Sequence, residues 1–293
     1  MEAKKGVLYL CATPIGNLED MTFRAVRMLK EADLIAAEDT RHTRQLLNHF
    51  EIHGKPMLSY HENNKEKAGP VLLQALEDGK NVVLVSDAGF PGISDPGEAA
   101  AKEAIAHGFL VVPIPGANAA LTALVASGLG TTPFFFGGFL PKTKTKRREQ
   151  LEAWKKIPAT LILYEAPHRI REVLQDMEAV WGNRDMAMCR ELTKIHEEFF
   201  RGSTAEVRQH LDENLPRGEF VLVIAPEKIE PAALTEDPLD VVKQLVAGGL
   251  DKKEALAQTA KKYKVPKREL YNRLVRENGA QGEYDGKVAG SQH

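Results

Sequence analysis

Short apolar runs alternating with amphipathic stretches set the organisation of this chain. Val7 to Cys11, Leu34 to Ala37, Met57 to Tyr60, Val82 to Val85 and Leu110 to Ile114 are brief apolar runs bounded by turn residues. Runs of that length predict strands buried on both faces. Between them, helical stripes recur: Phe23, Val26 and Leu29 with Ala25 and Met28, then Arg41 to Phe50, then Leu72, Leu73 and Leu76. Gly97 to Ala106 and Ala120 to Ala126 continue the series, with Asp95 placed as a helix cap before Pro96 at the first helical position. Strands alternating with helices predict a parallel doubly wound sheet over residues 1–125.

Past a linker at Gly128 to Pro133 the pattern changes. Phe134 to Phe136 with Phe139, Thr160 to Tyr164, Met186 to Cys189, Glu197 to Phe200 and Phe220 to Ala225 predict strands. A basic helix from Thr145 to Lys155 is interleaved with them, followed by a stripe of Ile170, Val173, Leu174 and Met177. Ser203 with Glu206 three residues on is a capping box for a helix reaching Asn214. This is a mixed α/β domain over 132–227, and a proline-rich second linker follows. Residues 239–278 form a small helical module whose helices, joined at Lys264-Val265-Pro266, fit a helix-turn-helix. A dimerising or merely packed helical tail is the alternative. Residues 279–293 have no apolar period and are expected to be mobile.

Composition adds little until its distribution is considered. The chain has 293 residues, 43% hydrophobic and 27% charged, with net charge −2, an ordinary globular balance with no global pull toward nucleic acid. Yet Lys142, Lys144, Lys146, Arg147 and Arg148 cluster, and 239–278 carries ten basic residues against five acidic ones. A basic end on a near-neutral protein points to a local polyanion contact. No apolar run approaches the ~20 residues of a membrane span, and Val7 to Ala12 is too short for a signal peptide's apolar region. Cys11 and Cys189 lie in apolar runs without metal-ligand spacing, so buried reduced thiols in a cytoplasmic protein are expected, with no metal site.

The chemistry gathers at predicted strand ends. The run Val82 to Val85 ends in Ser86-Asp87 over a glycine- and proline-rich loop to Gly97, where open α/β sheets bind ligands. Asp39 and Arg41, Asn118, Glu165 with His168 and Arg169, and Arg190 with Glu191 also end predicted strands, which implies a cleft between two domains. No GxGxxG, GxxxxGK[ST] or GxSxG occurs, which disfavours dinucleotide, P-loop and α/β-hydrolase sites. Loops suited to close backbone contact without a phosphate cradle fit a nucleoside-bearing cofactor lacking pyrophosphate, such as S-adenosylmethionine.

ATPIGNLED from Ala12, AEDTRHT from Ala37, SDAGFPGISDPG from Ser86, PGANAA from Pro115, YEAPHR from Tyr164 and RELTKIHEE from Arg190 follow one another in order. Over residues 6–226 the chain thereby resembles the tetrapyrrole methylase superfamily, and within it the branch of small-subunit (16S) ribosomal RNA cytidine 2′-O-methyltransferases. The resemblance implies two α/β domains with S-adenosylmethionine in the cleft, plus the small helical module. Cofactor positions map onto Pro14, Asp87, Gly89, Ile93, Asn118, Ala119, Tyr164 and Leu222. Tetrapyrrole-modifying members carry a GxGxGD pattern where this chain has ATPIG, which argues against a porphyrin substrate. Glu165, His168 and Glu191 are candidate bases for a ribose hydroxyl, with ion pairing to Arg169 or Arg190 as their alternative role. Arg41, Lys144, Lys146, Arg147, Arg169, Arg190, Lys267 and Arg268 are candidate RNA contacts. A homodimer acting on ribosomal RNA is implied, with naked RNA and the assembled 30S subunit both open as substrate. The competing readings are a methyltransferase on a small cyclic substrate and an α/β sensor fused to a DNA-binding helix-turn-helix.

Overall fold

The computed structural model describes residues 5–227, 236–263 and 265–288, with the side chains of 278–288 excepted. The chain divides into two compact units after Glu227. The first holds two five-stranded sheets. Strands β1 (Val7–Cys11), β2 (Leu34–Ala37), β3 (Met57–Ser59), β4 (Val82–Val85) and β5 (Leu110–Ile114) form an all-parallel sheet in the order β3-β2-β4-β1-β5. Val82 to Val85 are fully buried, as a strand covered on both faces must be. Helices α1 (Phe23–Glu31), α2 (Thr40–His49), α3 (Lys65–Glu77) and α4 (Gly97–Ala106) alternate with these strands. Two apolar clusters flank the sheet, one around Leu8, Leu72, Leu76 and Ala104, the other around Leu29, Ile35, Leu47 and Ile114.

The second sheet comprises β6 (Phe134–Phe139), β7 (Thr160–Glu165), β8 (Asp185–Arg190), β9 (Glu198–Ser203) and β10 (Phe220–Ile224), in the order β6-β7-β10-β8-β9. Only β6 and β7 run parallel, and the remaining pairs are antiparallel. Helices α6 (Lys144–Trp154), α7 (Ile170–Trp181) and α8 (Thr204–Glu213) cover one face of this sheet, and the Ser203/Glu206 capping box opens α8. Its other face is covered by α5 (Ala119–Ala126). Ala120, Ala123 and Leu124 pack there on Ile162, Ala187, Cys189 and Val223. The sequence pattern assigns this helix to the first sheet, but its apolar face is buried on the second.

The second unit contains α9 (Pro238–Ala247), α10 (Lys252–Tyr263) and α11 (Lys267–Val288) around Leu239, Val242, Ala255, Leu256, Leu270 and Leu274. Asp237 caps α9 and holds Arg273 at 2.5 Å. The stretch 279–288, expected to be mobile, continues α11 as helix, while 289–293 and Lys264 lie outside the described residues. No helix among the described residues is long and apolar enough to cross a membrane.

Candidate functional site

Sheet order creates the site. In the first sheet β4, β1 and β5 are neighbours, so the loops at their carboxyl ends lie side by side. Thr13 and Gly89 exchange backbone hydrogen bonds of 2.9 and 3.1 Å, tying the turn after β1 to the loop after β4. In that loop Asp95 Oδ1 accepts from Gly92 N–H (2.7 Å) and Gly97 N–H (2.8 Å). The helix begins one residue later than the sequence suggests, with Pro96 as its cap residue and Gly97 as its first residue. Asn118 Oδ1 caps α5 by accepting from Leu121 N–H.

The opposite wall comes from the second sheet. Because β10 runs antiparallel between β7 and β8, its first residue, Phe220, lies across from both Glu165 and Arg190. The ends of these strands therefore converge on one side. Tyr164 Oη accepts from Ala120 N–H at 3.2 Å and so joins β7 to α5. The turn containing Gly16 touches the loop Glu191–Lys194. A Cβ at Gly16 would lie 2.9 Å from Thr193 Oγ1 and 3.1 Å from Leu192 O, so only glycine admits that approach.

Between the walls lies a cavity of about 440 Å³, lined by Ile15, Gly89, Ile93, Asn118, Ala119 and Tyr164 among others. Glu38, Asp95, Glu165 and Glu219 also line it, with no lysine, arginine or histidine among the described residues. Burial pushes the Glu165 carboxyl up, against hydrogen bonding from Ala166 N–H and the nearby Arg169 charge. Its Oε1 accepts from Ala166 N–H at 2.9 Å, while Oε2 is buried with no hydrogen-bond partner among the described residues. Burial raises Glu38 as well, reinforced by the neighbouring Asp87 and Asp95 charges.

A second cavity of about 460 Å³ adjoins the first, and Ile15, Ala88 and Glu219 line both. Pro14, His42, Gln45, Asp87 and Lys194 also face it. Lys194 Nζ bonds Glu191 Oε1 at 2.8 Å and Glu219 Oε2 at 2.9 Å. Burial disfavours its ammonium, but these two carboxylates outweigh that, so the group stays protonated.

The candidate residues sort accordingly. Gly89, Ile93, Asn118, Ala119 and Tyr164 share the first cavity, while Pro14 and Asp87 face the second. Leu222 lines neither cavity: its side chain is fully buried in the core with α7, whereas its neighbour Val221 lines the first cavity. The alternation of a strand sends adjacent side chains to opposite faces. Of the candidate bases, only Glu165 lines the cleft. His168 is exposed and lines neither cavity. Glu191 anchors its loop, accepting from Lys194 Nζ and Glu219 N–H. Its carboxyl packs where a Cβ on Gly218 would sit.

Three candidate RNA cations are committed elsewhere. Arg147 is 2% exposed and bonded to Asp176. Arg169 donates to the carbonyls of Leu140 and Pro141. Arg190 pairs with Glu198 at 2.7 Å. Arg41 remains 86% exposed, although its guanidinium holds the Asp39 carboxyl well below the usual carboxylate range. Lys144, Lys146, Lys267 and Arg268 are exposed. The sequence reading missed Glu219, Lys194, His42 and Gln45. Lys194 and His42 sit inside quoted motifs, but Glu219 precedes an apolar run and carries no local signal. Cys11 and Cys189 are buried free thiols, pushed up to about 12 by burial. No group of three metal-binding side chains forms among the described residues.

Residues 7–208 match the family model described as Tetrapyrrole (Corrin/Porphyrin) Methylases. The ribosomal RNA small subunit methyltransferase I of Halalkalibacterium halodurans is 53% identical over 273 residues, spanning 92% of this chain and 94% of that protein. The protein of the same name from Bacillus subtilis is 49% identical, spanning 91% and 93%. Among solved structures, the methyltransferase CobJ superposes with TM-score 0.58 at 16% identity, covering 75% of this chain and 94% of that one. The uroporphyrin-III C-methyltransferase of Thermus thermophilus complexed with S-adenyl homocysteine gives 0.54 at 17%, covering 75% and 97%. At these identities the structural likeness concerns the fold.

Proposed function

The chain belongs to the tetrapyrrole (corrin/porphyrin) methylase family, and from that premise we propose that it methylates the ribose 2′-hydroxyl of a cytidine in small-subunit (16S) ribosomal RNA. It is an S-adenosylmethionine-dependent methyltransferase. The observation that carries the site assignment is the first cavity: among the described residues, four carboxylates and no cation line it, complementary to a positively charged nucleoside. Bound there, the cofactor supplies an electrophilic sulfonium methyl group. Gly89, Ile93, Asn118, Ala119 and Tyr164 form its bed, and the orphaned Glu165 Oε2 offers an acceptor to one of its donor groups. Pro14 and Asp87 close the bed from the side of the second cavity.

The chain's contribution to rate is mainly orientation of two reactants, because a ribose hydroxyl attacks only in line. The Gly16 turn and the Glu191–Lys194 loop fix the two walls against each other. Exposed Arg41, Lys144, Lys146, Lys267 and Arg268 supply phosphate contacts. The protein acts in the cytoplasm as a homodimer on RNA within the 30S subunit. Exposed Ile105 and Leu110, on packed elements α4 and β5, support a self-interface.

The test is transfer of tritiated methyl from S-adenosylmethionine to small subunits isolated without the modification, followed by digestion to nucleosides. The expected product is 2′-O-methylcytidine. Label on a base, or none with purified protein and saturating cofactor, overturns the reading.

A further inference from the structure

We propose that the second cavity is the acceptor pocket, receiving one unstacked cytidine of the RNA with its ribose 2′-oxygen turned toward the wall shared with the first cavity. This rests on the function proposed above. Three observations carry it. Ile15, Ala88 and Glu219 border both cavities, so a group leaving one crosses only that wall to enter the other. In-line transfer needs reacting atoms about 3–3.5 Å apart, which two adjoining cavities permit and two separate ones do not.

The linings also differ in chemistry. Among the described residues the first offers carboxylates without a cation, whereas the second presents Lys194, His42 and Gln45 beside Asp87 and Glu219. A nucleotide brings phosphate and ribose oxygens and a base edge with both acceptors and an amino donor. Mixed donors and acceptors of that kind match it. The volume of about 460 Å³ lies in the usual range for a small-molecule pocket. The mouth faces solvent through the exposed α2 positions His42 and Gln45, next to Arg41 on the same turn.

Finally, the wall is built to stay put. Glu191 (φ 50°) and Thr193 (φ 67°) both adopt the left-handed region. For β-branched Thr193 that is a costly conformation, and Thr193 Oγ1 is buried with no hydrogen-bond partner among the described residues. The strained loop presents Lys194 to the cavity, clamped between Glu191 and Glu219. Lys194 thereby fixes Glu219 at the shared wall. Glu219 takes the proton that O2′ loses as the O2′–methyl bond forms and the sulfur–methyl bond breaks with its electron pair left on sulfur; solvent then receives the proton. Lys194 is in this respect a positioning residue, and also the pocket's cation for the nucleotide.

The experiment compares the full chain with Gln45→Trp, Lys194→Met and Lys194→Arg. Cofactor affinity is read by calorimetry with S-adenosylmethionine, and KM and kcat by tritiated methyl transfer to unmodified small subunits. Gln45→Trp, at an exposed helix position that cannot disturb the core, is expected to raise KM for subunits about tenfold or more, with cofactor Kd within about twofold. Lys194→Met is expected to lower kcat about a hundredfold at unchanged cofactor Kd, and Lys194→Arg to recover about tenfold of it. Cofactor affinity falling in step with transfer would assign the second cavity to the cofactor and overturn the proposal. So would parental KM and kcat in both Gln45→Trp and Lys194→Met. If the unaltered chain binds cofactor but transfers nothing to subunits, the proposed function falls and takes this assignment with it. An active parent with unaffected variants overturns the pocket alone.

Discussion

Removing Asp176 tests whether the basic helix α6 is held by a buried charge rather than presented to RNA along its whole length. Arg147 on α6 and Asp176 on α7 are each 2% exposed. Asp176 Oδ2 accepts from Arg147 Nε at 2.7 Å, and Oδ1 accepts from Arg148 Nε at 2.7 Å. In Asp176→Ala, Arg148, whose side chain is 43% exposed, turns to water at little cost. Arg147 cannot follow. Among the described residues it keeps only the Lys142 carbonyl at 3.3 Å and the exposed Glu172 at 3.5 Å. Breaking a buried pair costs about 3–5 kcal/mol, and the remaining partners favour the lower end, about 3 kcal/mol. At about 2–4 °C per kcal/mol for a unit of this size, the midpoint falls by about 6–12 °C. The chain's two tryptophans, Trp154 and Trp181, both pack on this core, so their fluorescence in a urea titration reports this half selectively. The pairing also sets a pH dependence. Burial pushes the Asp176 carboxyl up, but hydrogen bonds from Arg148 and Arg147 prevail and lower it. The stabilisation is thus present above the ordinary carboxylate value and is lost as pH falls through the lowered one. A loss under about 1 kcal/mol for Asp176→Ala would refute the reasoning. So would an Arg147→Leu/Asp176→Leu double variant no better than the single one, since paired apolar replacement removes the stranded charge.

Glu165→Gln is expected to stabilise the protein at pH 8 and to change little at pH 4. A carboxyl raised by burial costs the fold nothing while protonated in both states, and destabilises it as pH rises through the folded value; chemical denaturation at the two pH values checks this. Thr193→Gly is expected to gain about 1 kcal/mol in stability by relieving the left-handed backbone, while methyl transfer falls because the loop loosens. Equal or improved turnover would remove the loop from the site. Lys144→Ala with Lys146→Ala is expected to leave stability unchanged and to lower the slope of log affinity for RNA against log salt by about 1.4. An unchanged slope in filter binding would place the phosphate path elsewhere.

Much of this protein was legible in its residue pattern. Length and burial of apolar runs identified the strands of both sheets, because a strand's periodicity and its bounding turns are local properties. The glycine-rich loop after β4, the Ser203 capping box and the polar residues at strand ends were legible for the same reason. Which loops meet was not. Strand order placed the ends of β4, β1 and β5 together and set β10 antiparallel between β7 and β8, and no local signal records that order. That arrangement brought Glu219, preceded by no motif, to the wall between two cavities, and turned Leu222 into the core. It also decided the charges: Arg147, Arg169 and Arg190 are candidate RNA contacts in sequence, yet each is bonded to a partner that only the fold brings to it. Secondary structure is governed by neighbours along the chain, whereas charge availability and cavity shape depend on neighbours in space.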